Sequence, residues 1–191
     1  MSKLSLLDLG FFIAETAASP KHVGGLLIFQ RPPKAGAGFA KNLYQAYVAA
    51  TDVKPPFNRV IQFPLGALPH WQAIDKLDMS QHVYFHTLPK AGNDRKALYD
   101  FVSRLHTPML DRSRPLWEVH VIDGLPEGKF ALYQKMHHAY ADGVTMARWT
   151  AEGCSIAPTD MQLTPVWTLK HGAYAGRRNK TNSDLLHMTW K

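Results

Sequence analysis

Within this 191-residue sequence, the run His137-His138-Ala139-Tyr140-Ala141-Asp142-Gly143 has the residue types and spacing to do chemistry. Independent placement of 10 His, 11 Asp and 13 Gly yields about 0.002 occurrences of His-His-x-x-x-Asp-Gly, so chance is a poor account of it. An imidazole titrates near neutrality and can take a proton and return it within one reaction, which suits general acid–base catalysis. Neighbouring residues on a strand face opposite ways and cannot both ligate one metal ion, so the pair calls for one working imidazole and one supporting residue. Asp142 suits the cap of a helix starting at Gly143, and Gly143 suits a positive φ or a close backbone approach. No metal is expected. The His-Glu-x-x-His pattern is missing, and His82 and His86, on one face of a strand, would stand about 13 Å apart. A serine-nucleophile elbow is also missing: Gly153-Cys154-Ser155-Ile156-Ala157 only approximates one and follows a helix instead of a strand.

The elements that must position these residues alternate between strand and helix. Apolar runs predict strands over 22–29, 59–63 and 81–88, and helical spacing predicts helices over 39–51 and 94–106. Leu98, Phe101, Val102 and Leu105 lie on the buried face of the second helix. Residues 116–122 and 129–136 read as a hairpin across a turn rich in Gly and Pro, followed by a helix over 143–152. In the second hairpin strand Phe130, Leu132, Gln134, Met136 and His138 share one face, and Ala131, Tyr133, Lys135 and His137 share the other. Beyond Ser155 the pattern weakens, so residues 1–155 read as one lobe and 156–191 as a connector belonging to a longer protein.

Composition narrows the class. With 46% hydrophobic and 19% charged residues the chain can bury a real core, and one cysteine excludes a disulfide scaffold. No stretch approaches the roughly 20 apolar residues of a membrane-spanning helix. Lys3 and the apolar run after it suggest a signal peptide, but Asp8, Gly10 and Glu15 interrupt it, and it reads as part of the fold. The net charge of +7 suits anionic lipid, a phosphorylated substrate or nucleic acid. The last of these lacks any basic region with interleaved aromatics.

Residues 129–143 resemble the active-site signature of CoA-dependent acyltransferases and condensation domains. Two further stretches resemble, more narrowly, the bacterial wax ester synthase/diacylglycerol acyltransferase family. One is Leu6-Leu7-Asp8 with Phe11-Phe12-Ile13-Ala14-Glu15 and Lys21-His22-Val23-Gly24-Gly25; the other is Asp111-Arg112-Ser113-Arg114-Pro115-Leu116-Trp117-Glu118. The resemblance covers residues 4–153, and the second half expected of the family, with its Asn-Asp motif, is absent. It implies an α/β fold with a mixed sheet flanked by helices, one lobe of a two-lobed, chloramphenicol acetyltransferase-like enzyme whose active site lies in a tunnel between lobes. The implied reaction moves a fatty acyl group from acyl-CoA, a substrate and not a cofactor, to a long-chain alcohol or diacylglycerol. His138 would be the general base, with His137, Asp142 and Gly143 completing the site. His137 reads as structural, and Asp142 would also enter a buried charge pair with an arginine that the sequence does not identify. Pro115-Leu116-Trp117 reads as a strand entry with a buried aromatic. Arg112 and Arg114 fit either the phosphates of CoA or an exposed turn. The implied setting is cytoplasmic, peripheral to the inner membrane or lipid inclusions, with a missing carboxy-terminal lobe as partner. The alternatives are a noncatalytic lipid- or partner-binding half and, below it, a basic nucleic-acid-binding domain.

Overall fold

A computed structural model describes residues 2–89, 94–155 and 163–171. Its centre is a four-stranded mixed sheet in the order β2 (His22–Gln30), β7 (Lys129–His137), β6 (Trp117–Asp123), β5 (Val83–Thr87). β6 runs parallel to β5, and the other pairs are antiparallel. A smaller antiparallel sheet holds β1 (Ser2–Lys3), β4 (His70–Ala73) and β3 (Arg59–Gln62). Four helices accompany them: α1 (Leu6–Ala14), α2 (Phe39–Ala49), α3 (Arg95–His106) and α4 (Gly143–Glu152). Among the described residues no helix is long and apolar enough to cross a membrane.

Strand alternation divides the central sheet into two chemically different faces. On one, Trp117, Val119 and Val121 of β6 stand opposite Met136, Gln134 and Leu132 of β7, and all but Gln134 join a core with Tyr47 of α2 and Met146 and Trp149 of α4. On the other, Ala131, Tyr133 and Ile122 pack under α3, whose Leu98, Phe101, Val102 and Leu105 face the sheet as their spacing predicts. Toward the carboxyl end of β7 this second face becomes polar, because β7 continues as Tyr133, Lys135 and His137. Lys135 is 1% exposed, and its Nζ donates to the carbonyls of Leu105 (3.0 Å) and Pro108 at the end of α3. A cation at the helix's negative end satisfies carbonyls that the helix leaves open.

The β6–β7 hairpin forms as expected, and its turn needs glycine at Gly124. There φ is +88°, and a Cβ would lie 2.7 Å from the Leu88 carbonyl oxygen. The expected helix 94–106 forms as α3, with Asp94 outside it as the cap: its carboxylate accepts from Ala97 N–H at 2.8 Å. The expected helix 39–51 ends earlier, at Ala49.

Part of the stretch expected as a connector lies against the lobe. Residues 156–162 and 172–191 are outside the described residues, but 163–171 cross the core. Trp167 is wholly buried, donates Nε1–H to Ala50 O at 2.8 Å and stacks on Trp117 with ring centroids 5.1 Å apart. Its carbonyl accepts from Lys54 N–H at 2.7 Å. Replacing Trp167 with Ala is expected to destabilise the protein by about 3–5 kcal/mol, as for other buried large aromatics. Urea unfolding checks this, and a loss below about 1 kcal/mol would show that this segment is not part of the core.

Candidate active site

β7 carries the two histidines to its carboxyl end. His137 is its last residue, paired across the sheet with His22, and His138 lies one residue beyond. The chain then turns through Ala139, Tyr140 and Ala141, all buried, and enters α4 at Asp142. Two bonds to His137 shape the turn: Tyr140 N–H donates to its carbonyl oxygen (2.9 Å) and Ala139 N–H to its Nδ1 (3.1 Å). The Tyr140 hydroxyl accepts from Leu116 N–H at 3.1 Å and donates to the Arg59 carbonyl, tying the turn to both sheets. The variable positions of the motif are therefore packing positions.

The histidines have different surroundings. His137 is fully buried, and burial holds its pKa down to about 4 even with Glu15 nearby. Because Nδ1 accepts from Ala139, the proton of the neutral ring sits on Nε2, 3.5 Å from Glu15 Oε2. His138 is partly exposed. Its backbone N–H donates to Lys21 O at 2.8 Å, and its ring stacks on Phe11 at 4.1 Å between centroids and 21° between planes. Asp8 is buried on α1. Burial raises its carboxyl pKa, and hydrogen bonds with Ser5 and, least of all, attraction to His138 oppose that shift.

Glu15 lies against His137. Its side chain is fully buried; Oε1 accepts from Lys21 N–H (2.9 Å), and Oε2 accepts from Arg112 Nη2 (3.0 Å) and Nε (3.3 Å). Burial alone would raise this carboxyl, but the Lys21 amide and the Arg112 guanidinium outweigh it and hold its pKa below the ordinary range. Arg112 also donates to Phe12 O at 2.8 Å and lies over the Phe12 ring at 4.1 Å.

Several expectations need correction. Gly143 takes neither a positive φ nor a close approach: a Cβ there meets nothing within 4 Å, and the residue is simply the first of α4. Arg112 is not merely an exposed turn charge: its Nε and Nη2 donate to Glu15, and Nη2 also to Phe12 O. Glu15 and Arg112 form a buried arginine–carboxylate pair that the sequence does not announce, and Asp142 caps α4, its Oδ1 accepting from Thr145 N–H at 2.8 Å. Trp117 is buried as expected, with Nε1–H on Phe57 O at 2.8 Å. His82 and His86 go to separate partners, the Trp117 carbonyl at 2.9 Å and the His120 ring at 3.0 Å.

The sequence profile of the wax ester synthase/diacylglycerol acyltransferase catalytic domain matches residues 4–190, well past the 153 to which the motifs alone extend. The chain belongs to this family. A Mycobacterium tuberculosis protein described as a putative diacylglycerol O-acyltransferase is 38% identical over 181 residues, which make up 93% of this chain and 40% of that protein. The wax ester synthase/diacylglycerol acyltransferase structure from Marinobacter aquaeolei superposes with a TM-score of 0.83 at 36% identity, covering 88% of this chain and 42% of that one. The first condensation domain of the calcium-dependent antibiotic synthetase shares the fold alone, with a TM-score of 0.59 at 13% identity over 76% of this chain and 36% of that one. The chain spans about 40% of the length of such curated relatives.

Two outcomes follow from this geometry. Asn caps a helix about as well as Asp, so Asp142→Asn separates cap from charge: a melting temperature kept in Asp142→Asn, with about 1 kcal/mol lost in Asp142→Ala, marks the cap as the role that matters. Equal losses in calorimetry would mean that the carboxylate's charge, and not its capping oxygen, is what matters. The second concerns acid. The folded protein refuses protons at His22, His86 and His137, each held to about 4 by burial first, while an unfolded chain takes them up near 6.5. Stability is therefore full above about pH 6.5 and falls toward pH 4, before most carboxylates titrate. A urea midpoint that stays flat between pH 6.5 and 5 would contradict the burial of these rings as neutral groups.

Proposed function

We propose that this chain is the His138-bearing lobe of an O-acyltransferase that moves a fatty acyl group from acyl-CoA to a long-chain alcohol or diacylglycerol, forming a wax ester or triacylglycerol. The observation that carries the reading is the contrast at the end of β7. His137 is sealed inside and committed to the turn, while His138, held by its own backbone and by Phe11, keeps a partly exposed ring.

In the reaction, a ring nitrogen of His138 takes the hydroxyl proton of the acceptor as its oxygen attacks the thioester carbonyl. The tetrahedral intermediate collapses with cleavage of the C–S bond, and the imidazolium returns the proton to the departing thiolate. The products are the ester and free CoA, with no acyl-enzyme and no cofactor. Large apolar side chains lie exposed on α1 beside His138 and at the start of α4, among them Leu6 (89%) and Val144 (79%), as befits a site for fatty chains completed by a second lobe. Contact with a membrane or lipid inclusion belongs to this reading, because both acceptors partition into lipid.

The test mixes the purified protein, alone and with the carboxy-terminal remainder of a family member supplied in trans, with palmitoyl-CoA and hexadecanol, following thiol release and ester formation. Turnover is expected, and His138→Ala should lower kcat by a factor on the order of 10² to 10⁴ while keeping the fold. Full activity in that variant would refute the assignment of the base. Absence of ester under every condition would favour the noncatalytic binding half.

A further inference from the structure

The amino-terminal signature and the Pro-Leu-Trp signature flank segments far apart in sequence, and the acyl-transfer chemistry itself uses neither. In the fold both end on one carboxylate. Glu15 belongs to the first, Arg112 to the second, and the pair meets beside His137, the residue before His138. From the Glu15 carboxylate three connections reach His138. Oε1 accepts from Lys21 N–H, and the carbonyl of the same Lys21 accepts from His138 N–H. Oε2 faces the Nε2 of His137, whose Nδ1 accepts from Ala139 N–H on the far side of His138. Through Arg112, which donates to Phe12 O, it holds the end of α1 on which Phe11 stacks against the His138 ring.

We infer that Glu15, held by Arg112, is the positioning residue of the candidate base: one buried carboxylate fixes the backbone before His138, the turn after it and the ring beside it. The chemistry is specific to a carboxylate. Both oxygens must accept, Oε1 from an amide and Oε2 from a guanidinium, while Oε2 also faces the Nε2–H of His137. An amide at this position turns one of the two acceptors into a donor aimed at another donor. The defect then falls on the orientation of His138 and not on binding, and misplacing a reacting group by about an ångström can cost on the order of 10²-fold in rate.

This inference rests on His138 being the base, so its test has one arm that does not. Long-range ¹H–¹⁵N spectra of the histidine rings are expected to show His137 as the Nε2–H tautomer at pH 7, and a contact between the His138 and Phe11 rings that Glu15→Gln abolishes. In the kinetic arm Glu15→Gln is expected to lower kcat on the order of 10²-fold with KM changed less than about threefold. Because Glu15→Gln strands a guanidinium and lowers stability for that reason alone, Glu15→Gln with Arg112→Met is the companion; it should regain melting temperature but not kcat. An Nδ1–H tautomer of His137 in the wild type, retention of the ring contact in Glu15→Gln, or wild-type kcat in the double variant would each overturn the inference. A wild-type protein without acyl transfer would overturn the proposed function instead, leaving the spectra to decide the clamp.

Discussion

A carboxylate removed from water must have its lone pairs met, and at Glu15 that requirement organises the end of the lobe where the histidines sit. Its hydrogen-bond partners come from the residues before β2 and from the loop that leads into β6, and the His137 ring at the end of β7 lies 3.5 Å away. None of these segments can shift without leaving a buried charge exposed to an apolar interior. Removing one partner of such a group costs far more than the pair contributes net, so the arrangement is better understood as fixing a geometry than as adding stability. The Pro-Leu-Trp strand entry fits the same scheme. Trp117 anchors β6 in the core, and Arg112, five residues before it, reaches back to α1.

Two identical side chains next to each other come to opposite ends by simple strand physics. Alternation puts His137 on the face that already holds Tyr133 and Lys135, where burial keeps it neutral and its Nδ1 accepts from Ala139 N–H. The strand ends before alternation can bury His138, and the buried Ala139-Tyr140-Ala141 turn carries the chain away. The scaffold alone does not specify the chemistry. Condensation domains 10–13% identical to this chain share the fold, while the wax ester synthase/diacylglycerol acyltransferase structure shares both the fold and 36% of the residues.

Much of this was legible in the sequence wherever the signal is local. The Gly- and Pro-rich turn, the apolar stripe of α3, the Asp142 cap and the site motif each lie within a few residues of what they determine. α1 was not legible as a helix, because Leu6, Leu7, Leu9, Phe11, Phe12 and Ile13 are apolar around the whole circumference and leave no amphipathic stripe. β1 and β4, two and four residues long, are too short for periodicity. The Glu15–Arg112 pair joins residues 97 apart, so Glu15 looked like a break in an apolar run and Arg112 like an uncommitted charge. Gly143 differs for the opposite reason: a glycine permits a positive φ or a close approach without requiring either, and here it only begins a helix.

The most direct test of the central claim is a crystal structure of the complete enzyme with hexadecanol and a nonhydrolysable thioether analogue of palmitoyl-CoA. The account predicts the alcohol oxygen within about 3.2 Å of a ring nitrogen of His138, on the side toward the thioester carbon, with His137 still sealed against Glu15. An alcohol held by some other base, with the His138 ring turned away from the reacting atoms, would contradict it.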